Sequence, residues 1–356
     1  MKIAVLCGGL STERKISLSS GTRICEALRG RGHQAVLVDL FLGLEAMDPV
    51  SASKAAADPA SLFEELPALV PVEFDGKEPD LQALRASRRD RNPSIFGPGV
   101  IAICRAADIV FIGLHGKYGE DGRVQAAFDM LGIRYTGSGY LGAAIAMDKL
   151  MTKQILHSYG IRMPAWHSWR SDGTDLEEIA AQTKVPCVVK TPGGGSSVGV
   201  YLINEREQLL PALRDCLRYG EEILIEEMIQ GREFTCAVLE DRALPSVEIV
   251  PLTRFYDYEN KYRAGATEEI CPGRCSPEVE KTMGEAALAA HRCLGLRTYS
   301  RSDFIVDSED GVWYLETNTL PGMTPISLVP QEAAAVGISY GELCERIVND
   351  GMRFFL

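Results

Sequence analysis

Long apolar runs, closely paired cysteines and an excess of positive charge are all missing from this 356-residue chain, and each absence removes a class of function. No apolar stretch approaches the roughly 20 residues that span a bilayer, so no membrane segment is expected. The opening MKIAVLCGG has too short an apolar run for a secretory signal and turns at once into glycine. The ten cysteines are scattered, none at CxxC spacing, and several lie in apolar segments such as CAVL and PCVVK. Buried free thiols in a reducing cytoplasm are the expectation, in preference to a zinc or disulfide framework. The five histidines form no His-x-x-x-His pair. With 37 basic against 49 acidic residues the net charge is -12, which argues against broad contact with nucleic acid or an anionic membrane. A small anion is still within reach, because one local cluster of Lys and Arg is enough to hold it.

What is present is an ordinary globular composition, 46% hydrophobic and 24% charged, in a chain too long for one core. Lys2 to Leu6 reads as a strand, followed by the loop CGGLSTERKISLSSG, a helix over about 17–28 and a second strand in HQAVLVDL. Residues 41–98 mix Ala-rich helical pieces, prolines and the charged run RASRRDR, and their topology stays open. DIVFIGL gives the next strand, HGKYGEDG its loop, QAAFDML a helix and IRYTG a short strand. Residues 139–160 read as helix. PCVVK, VGVYLI, EEILIEEMI, EFTCAVLE and ALPSVEIV then read as mainly antiparallel strands with a helix near 205–218. A helix at about 277–294 leads to the paired strands YSRSDFIVD and GVWYLETN, and helical segments close the chain. The fold class is α/β at the N-terminus, with a largely parallel sheet, and α+β in the C-terminal two-thirds. Three domains are expected, at 1–138, 139–222 and 223–356.

Polar residues gather where strands end. The first loop precedes a helix, whose free N–H groups and positive dipole end suit an anion or carboxylate, and it carries Glu13. A simple turn with Glu13 in water fits the same pattern. The second loop holds His115, Lys117, Glu120 and Asp121, and ligands collect at such strand ends in open α/β sheets. In VVKTPGGGSSVGV a strand delivers Lys190 into three glycines, Ser196 and Ser197. Glycines let backbone N–H groups approach a phosphate, so this suits a phosphate lid, or else a mobile hairpin. Glu226, Glu227 and Glu233 suit adenine or ribose contacts, or a solvated edge. FYDYENKYRAG crowds Phe255, Tyr256, Tyr258, Lys261 and Tyr262 together, as a loop closing over a ligand would. Finally, Arg301 and Asp303 stand two apart on one strand, and Glu316 and Asn318 two apart on the next. Period 2 sets each pair on one face. Three oxygen ligands beside a cation fit Mg²⁺ shared with nucleotide phosphates, with Arg301 facing developing negative charge. A structural salt-bridge network is the alternative.

Taken in order, GGLSTERKISLSSG, HGKYGEDG, YTGSG, AMDK, GSSVGV, LIEE, FYDYENKY, RSDF and ETNTLPGMTPISL resemble the D-alanine–D-alanine ligases of the ATP-grasp superfamily across nearly the whole chain. The resemblance implies a nucleotide enclosed between the two C-terminal domains. It implies that Glu13 lies near the ammonium of the first D-alanine, linked to Ser196 and Tyr262. Lys149, Lys190 and the loop's Lys261 would contact ATP phosphates, together with the lid's Ser197. Glu226, Glu227 and Ile229 lie in the stretch that would hold adenine, and Glu233 would accept from the ribose. Arg301 would stabilise the tetrahedral intermediate. Asp303, Glu316 and Asn318 would bind Mg²⁺, with Mn²⁺ as an alternative and two ions per site. Ser327, beside Gly322, would receive the second substrate's carboxylate, and His115 would stand beside the substrates. D-alanine in both positions, ATP, a cytoplasmic location and a homodimer complete the implied picture. A D-serine acceptor is the alternative. A catalytically silent nucleotide binder would have lost part of the Arg301, Asp303, Glu316 and Asn318 set, and all four are here. Two departures concern tuning: TPGGG should loosen the lid, and Lys15 stands where the family usually has a glutamate.

Overall fold

Isoleucine, alanine, valine and leucine fill the first strand, and residues Ile3 to Cys7 are fully buried. This strand, β1 (Lys2–Cys7), pairs in parallel with β2 (Gln34–Asp39) on one side and β3 (Ile109–Ile112) on the other. A strand covered on both faces reads as an unbroken apolar run, which is why this segment shows no alternation. The order β2-β1-β3 means that the chain leaves β1 to one side and returns on the other. Loops after β1 and β3 therefore share the crevice that such a reversal opens. The helix Arg14–Gly30 lies so close to the sheet that a Cβ at Gly21 would fall 2.5 Å from Cys7 Cβ. The helix Tyr340–Arg353 returns to this same core, burying Leu343, Cys344, Ile347 and Val348 with Ile24 and Leu28.

The computed structural model describes residues 1–70, 79–171, 175–195, 199–251 and 267–355. Ser196, Ser197, Phe255, Tyr256, Tyr258, Lys261 and Tyr262 lie outside the described residues. Beyond the parallel sheet come β4 (Trp166–Arg170), β5 (Cys187–Lys190), β6 (Val200–Ile203) and β7 (Glu222–Glu227), antiparallel in the order β4-β7-β5-β6. The remaining strands are β8 (Arg232–Leu239), β9 (Arg242–Ala243), β10 (Val247–Pro251), β11 (Thr267–Ile270), β12 (Tyr299–Val306) and β13 (Val312–Asn318). They form one antiparallel sheet, β11-β10-β8-β12-β13, with β9 beside β8. The helix Pro277–Cys293 packs Val279, Met283 and Ala287 on one face of it, against Phe234, Cys236, Phe304 and Tyr314. Among the described residues, no helix is long and apolar enough to cross a membrane.

Several local readings change. Residues 139–160 are two helices, Tyr140–Met147 and Lys149–Ser158, because Asp148 caps the second by accepting from Leu150 and Met151 N–H, each at 3.0 Å. IRYTG contributes only a parallel bridge between Tyr135 and Val110. Residues 41–98 contain the helices Pro49–Ala57, Ser61–Glu64 and Leu81–Ser87. The strands β4 and β11 were not expected: both are short edge strands, WHSWR and TEEI, whose sequences show no regular apolar alternation. The pairing of β12 with β13 also contains a β-bulge. Asp303 pairs with Glu316 but Phe304 with Tyr314, leaving Leu315 as the extra residue.

The returning helix supplies core to the first sheet, so Ile347→Ala should cost about 2–5 kcal/mol. Thermal unfolding should fall by several degrees, whereas Val50→Ala at an exposed position should leave it unchanged.

Candidate active site

The first loop is fastened by small hydroxyl side chains. Ser17 Oγ accepts from Gly8 N–H at 2.9 Å and donates to the Gly113 carbonyl at 2.7 Å. Ser11 donates to the His115 carbonyl at 2.9 Å. Arg14 reaches back to the Gly9 carbonyl at 2.7 Å and pairs with Asp39 at the end of β2. These bonds hold the first two loops side by side and place Glu13, only 7% exposed, between them. A Cβ at Gly116 would lie 2.3 Å from Glu13 Oε2, and one at Gly195 would lie 3.4 Å away. Glycine at 116, with φ +67, is thus required by both backbone and space. Glu13 thereby meets the second loop and the Gly-rich lid.

His115 is buried, with Nδ1 2.9 Å from the Leu320 carbonyl and Nε2 3.1 Å from Ser20 Oγ. A carbonyl can only accept, so Nδ1 carries the proton and Nε2 accepts from serine. Burial lowers the pKa of His115, against the pull of Glu13. The ring is therefore neutral and committed at both nitrogens, tying the second loop to the turn after β13. Glu120 makes the same connection, accepting from Gly116 N–H at 2.7 Å and Leu320 N–H at 3.4 Å. Burial, then the nearby Glu13 carboxylate, pushes its carboxyl up to about 8. Asp121 caps its own turn through Tyr118 and Arg123 N–H, and Lys117 is exposed.

A second group forms where β5, β7 and the helix Lys149–Ser158 meet. Glu226 is 2% exposed, with Oε2 2.6 Å from Lys190 Nζ and Oε1 2.9 Å from Lys153 Nζ. Burial alone would raise the Glu226 carboxyl, but Lys190 and Lys153 outweigh it and hold it low. Burial likewise opposes the charge on Lys190, yet Glu226 wins and the pKa rises. For Lys153 burial prevails and the pKa falls. Glu226 thus points at lysines, while Glu227 is exposed and Ile229 half-buried in the link to β8, where Glu233 is also half-buried. Sequence reading missed Lys153, although its place one helical turn after Lys149 was a signal.

The third group is on the face of β12 and β13 away from the helix Pro277–Cys293. Asp303 accepts from Arg301 Nε at 2.9 Å and Nη2 at 3.0 Å, from Thr235 Oγ1 at 3.0 Å and from Asn318 Nδ2 at 3.2 Å. Opposite it in register, Glu316 lies 3.3 Å from Lys149 Nζ, which also donates to the Gly194 carbonyl at 2.6 Å. Among the described residues no three His, Cys, Asp or Glu side chains come together as a self-sufficient metal site. Two carboxylates and an amide are hard oxygen donors, which fit a divalent cation completed by phosphate oxygens. Glu120, Lys149, Gly194, Gly195, Glu316 and Asn318 line one small pocket of about 20 Å³, where the second loop, the Gly-rich lid and the end of β13 meet. Ser327 stands further along, starting the helix Leu328–Ala335, with Oγ accepting from Thr324 N–H at 3.0 Å. Gly322 lies beside it, since a Cβ there would be 3.0 Å from Ser327 Oγ.

The raised Glu120 pKa has a measurable sign. The folded state favours its protonated form, so this stabilisation is complete below the ordinary carboxyl value of 4.5 and is lost as pH rises to about 8. Melting temperatures measured across that window should fall less steeply for Glu120→Gln than for the parent. Equal slopes would refute the assignment.

Two sequence families match: D-ala D-ala ligase N-terminus over residues 2–138, and D-ala D-ala ligase C-terminus over residues 155–349. A D-alanine–D-alanine ligase of Lacticaseibacillus casei is 40% identical over 356 residues, covering 100% of this chain and 97% of the relative. One from Pediococcus pentosaceus is 41% identical over 351 residues, covering 98% and 97%. The structure of D-alanine–D-alanine ligase from Bacillus anthracis complexed with ATP aligns with a TM-score of 0.72 at 27% identity, covering 100% of this chain and 98% of that one. The VanG D-Ala:D-Ser ligase from Enterococcus faecalis aligns with a TM-score of 0.72 at 26% identity, covering 98% and 99%. On these whole-length matches in sequence and fold, the chain belongs to the D-alanine–D-alanine ligase family.

Proposed function

We propose that this protein joins two D-alanine molecules into D-alanyl-D-alanine, using ATP and releasing ADP and phosphate. The observation that carries this reading is the contact of Lys149 with both Glu316 and the Gly194 carbonyl, which unites a phosphate-binding lysine, a metal carboxylate and the lid. The chemical obstacle is that a carboxylate is a poor electrophile, from which an amine would have to expel oxide. Moving the γ-phosphoryl group onto the first D-alanine's carboxylate gives an acyl phosphate. The second D-alanine's amine attacks that carbonyl carbon, and phosphate departs with the bonding electrons.

Lys149 and Lys190 face the phosphates, with Lys153 behind them balancing Glu226. Asp303, Glu316 and Asn318 would hold the divalent cation, Mg²⁺ or Mn²⁺ and two ions per site in our reading, which would offset charge on the phosphates. Arg301, held in plane by Asp303, faces the oxyanion of the tetrahedral centre. Glu13 receives the first substrate's ammonium group, with Ser196 and Tyr262 completing the closure. His115 supports the substrate pocket from beneath, through Leu320. The link after β7, with Glu227 and Ile229, takes adenine, and Glu233 takes the ribose. Lys261 and Ser197 approach the phosphates when the loops close, and closure keeps water from the acyl phosphate. Gly322 and Ser327 take the acceptor's carboxylate at a helix start, where backbone N–H groups favour an anion. Three domains, at 1–138, 139–222 and 223–356, and a homodimer are part of the proposal, on the strength of family likeness.

D-serine is the second acceptor to weigh, because the fold aligns equally well with a D-Ala:D-Ser ligase. One hydroxyl is a small difference for a loosely shaped pocket to reject. The identity near 40% to D-alanine–D-alanine ligases favours D-alanine.

Purified protein given ATP, Mg²⁺ and D-alanine, with D-serine or D-lactate as competitors, should yield chiefly D-alanyl-D-alanine by mass spectrometry. A dominant mixed product would reassign the acceptor, and ATP-dependent phosphate release without D-alanine would reject the reaction. Glu316→Ala should reduce turnover by roughly a thousandfold with circular dichroism and melting temperature little changed. Turnover at the parent rate would remove Glu316 from the metal site.

A further inference from the structure

Glu332 is a carboxyl group with no role in the reaction above, yet it is fully buried beside the site. It sits on the helix Leu328–Ala335, whose first turn begins at Ser327. Its Oε2 accepts from Ala237 N–H on β8 at 2.5 Å, and its Oε1 has no hydrogen-bond partner among the described residues. Ala237 is the residue of β8 that stands opposite Arg301 on β12.

There is a backbone reason for a carboxyl here. On the other side of β8, β10 pairs only with Glu233, Phe234 and Thr235, so Ala237 lies past the end of that ladder. A buried N–H left without a partner is costly, and Glu332 supplies the acceptor from the helix instead. Gln331, the preceding residue, fastens the helix to β11 through Glu269. Two consecutive side chains thus set the seat of one short helix, and that helix presents Ser327 at its start. The charged groups that act on Glu332 are Arg301, Asp303 and Glu280, from β12 and the helix Pro277–Cys293. Burial raises its pKa well above the ordinary carboxyl value, so it sits there as a neutral acid.

We propose that Glu332 is a positioning residue of the acceptor subsite: by bridging the Ser327 helix to the strand opposite Arg301, it sets the separation between the groups that hold the acceptor's carboxylate and the reacting centre. The proposal rests on the reading of Ser327 as the acceptor's anchor. Its effect belongs to the second D-alanine, since the candidate substrate residue at the start of this helix is Ser327.

The test measures KM for ATP and for each D-alanine site, with the parent, Glu332→Ala and Glu332→Gln. Glu332→Ala should raise the acceptor KM about tenfold, leaving the ATP KM within about twofold. Glu332→Gln keeps an oxygen for Ala237 N–H and should restore the acceptor KM. An unchanged acceptor KM in Glu332→Ala, or a parallel rise in the ATP KM, would overturn the proposal. Competition between D-alanine and D-serine supplies a readout that does not depend on the fraction of enzyme folded. The product ratio should shift in Glu332→Ala and return in Glu332→Gln, and a ratio unmoved in Glu332→Ala, or shifted equally in both, also overturns it. Should Glu332→Ala yield no soluble protein, Glu332→Gln decides alone: parent-like acceptor KM and product ratio support the role, and a tenfold rise rejects it. A parent enzyme that makes no D-alanyl-D-alanine would instead sink the functional reading itself.

Discussion

Positive charge buried in a dry crevice cannot wait unpaired. Three of the lysines have a carboxylate for company: Lys190 and Lys153 share Glu226, and Lys149 leans on Glu316. Moving such ions out of water is expensive, and mutual attraction repays it only with close geometry. It also means that an anion reaching Lys149, or a cation reaching Glu316, must compete with the other member of that pair.

The same economy governs Asp303. Arg301, Thr235 and Asn318 all donate to it, so the carboxylate is held in one orientation. The β-bulge at Leu315 makes this compatible with a buried core. Tyr314 faces the helix side with Phe304, and the extra residue turns Glu316 to the opposite face, beside Asn318. Regular alternation from Tyr314 would have put its ring and the Glu316 carboxylate on one side. One inserted residue therefore separates the packing half of the strand from its chemical half.

Much of this was legible in the sequence because strand ends and apolar runs are local signals. The strands β1, β2, β3, β12 and β13 announce themselves by buried valine, isoleucine and phenylalanine, and the polar groups after them follow. What escaped depended on tertiary neighbours. WHSWR becomes β4 because Ile223 and Leu224 of β7 offer it an edge, not through its own pattern. The break at Asp148 turns on one capping side chain inside an apolar helical run. Lys153 and Glu332 look like ordinary helix-surface residues until the fold buries them. The pairing of Glu226 with two lysines, in particular, could not be read from LIEE, where the two glutamates are indistinguishable but end up on opposite faces of β7.

The helix Tyr340–Arg353 has a consequence for how the molecule comes into being. Its Leu343, Ile347 and Val348 complete the apolar interior around β1, so the sheet of β1, β2 and β3 lacks a wall until residues 340–353 have been synthesised. During translation that sheet must either remain loosely assembled or be sheltered, while the two antiparallel sheets between have all their described strands before that helix emerges.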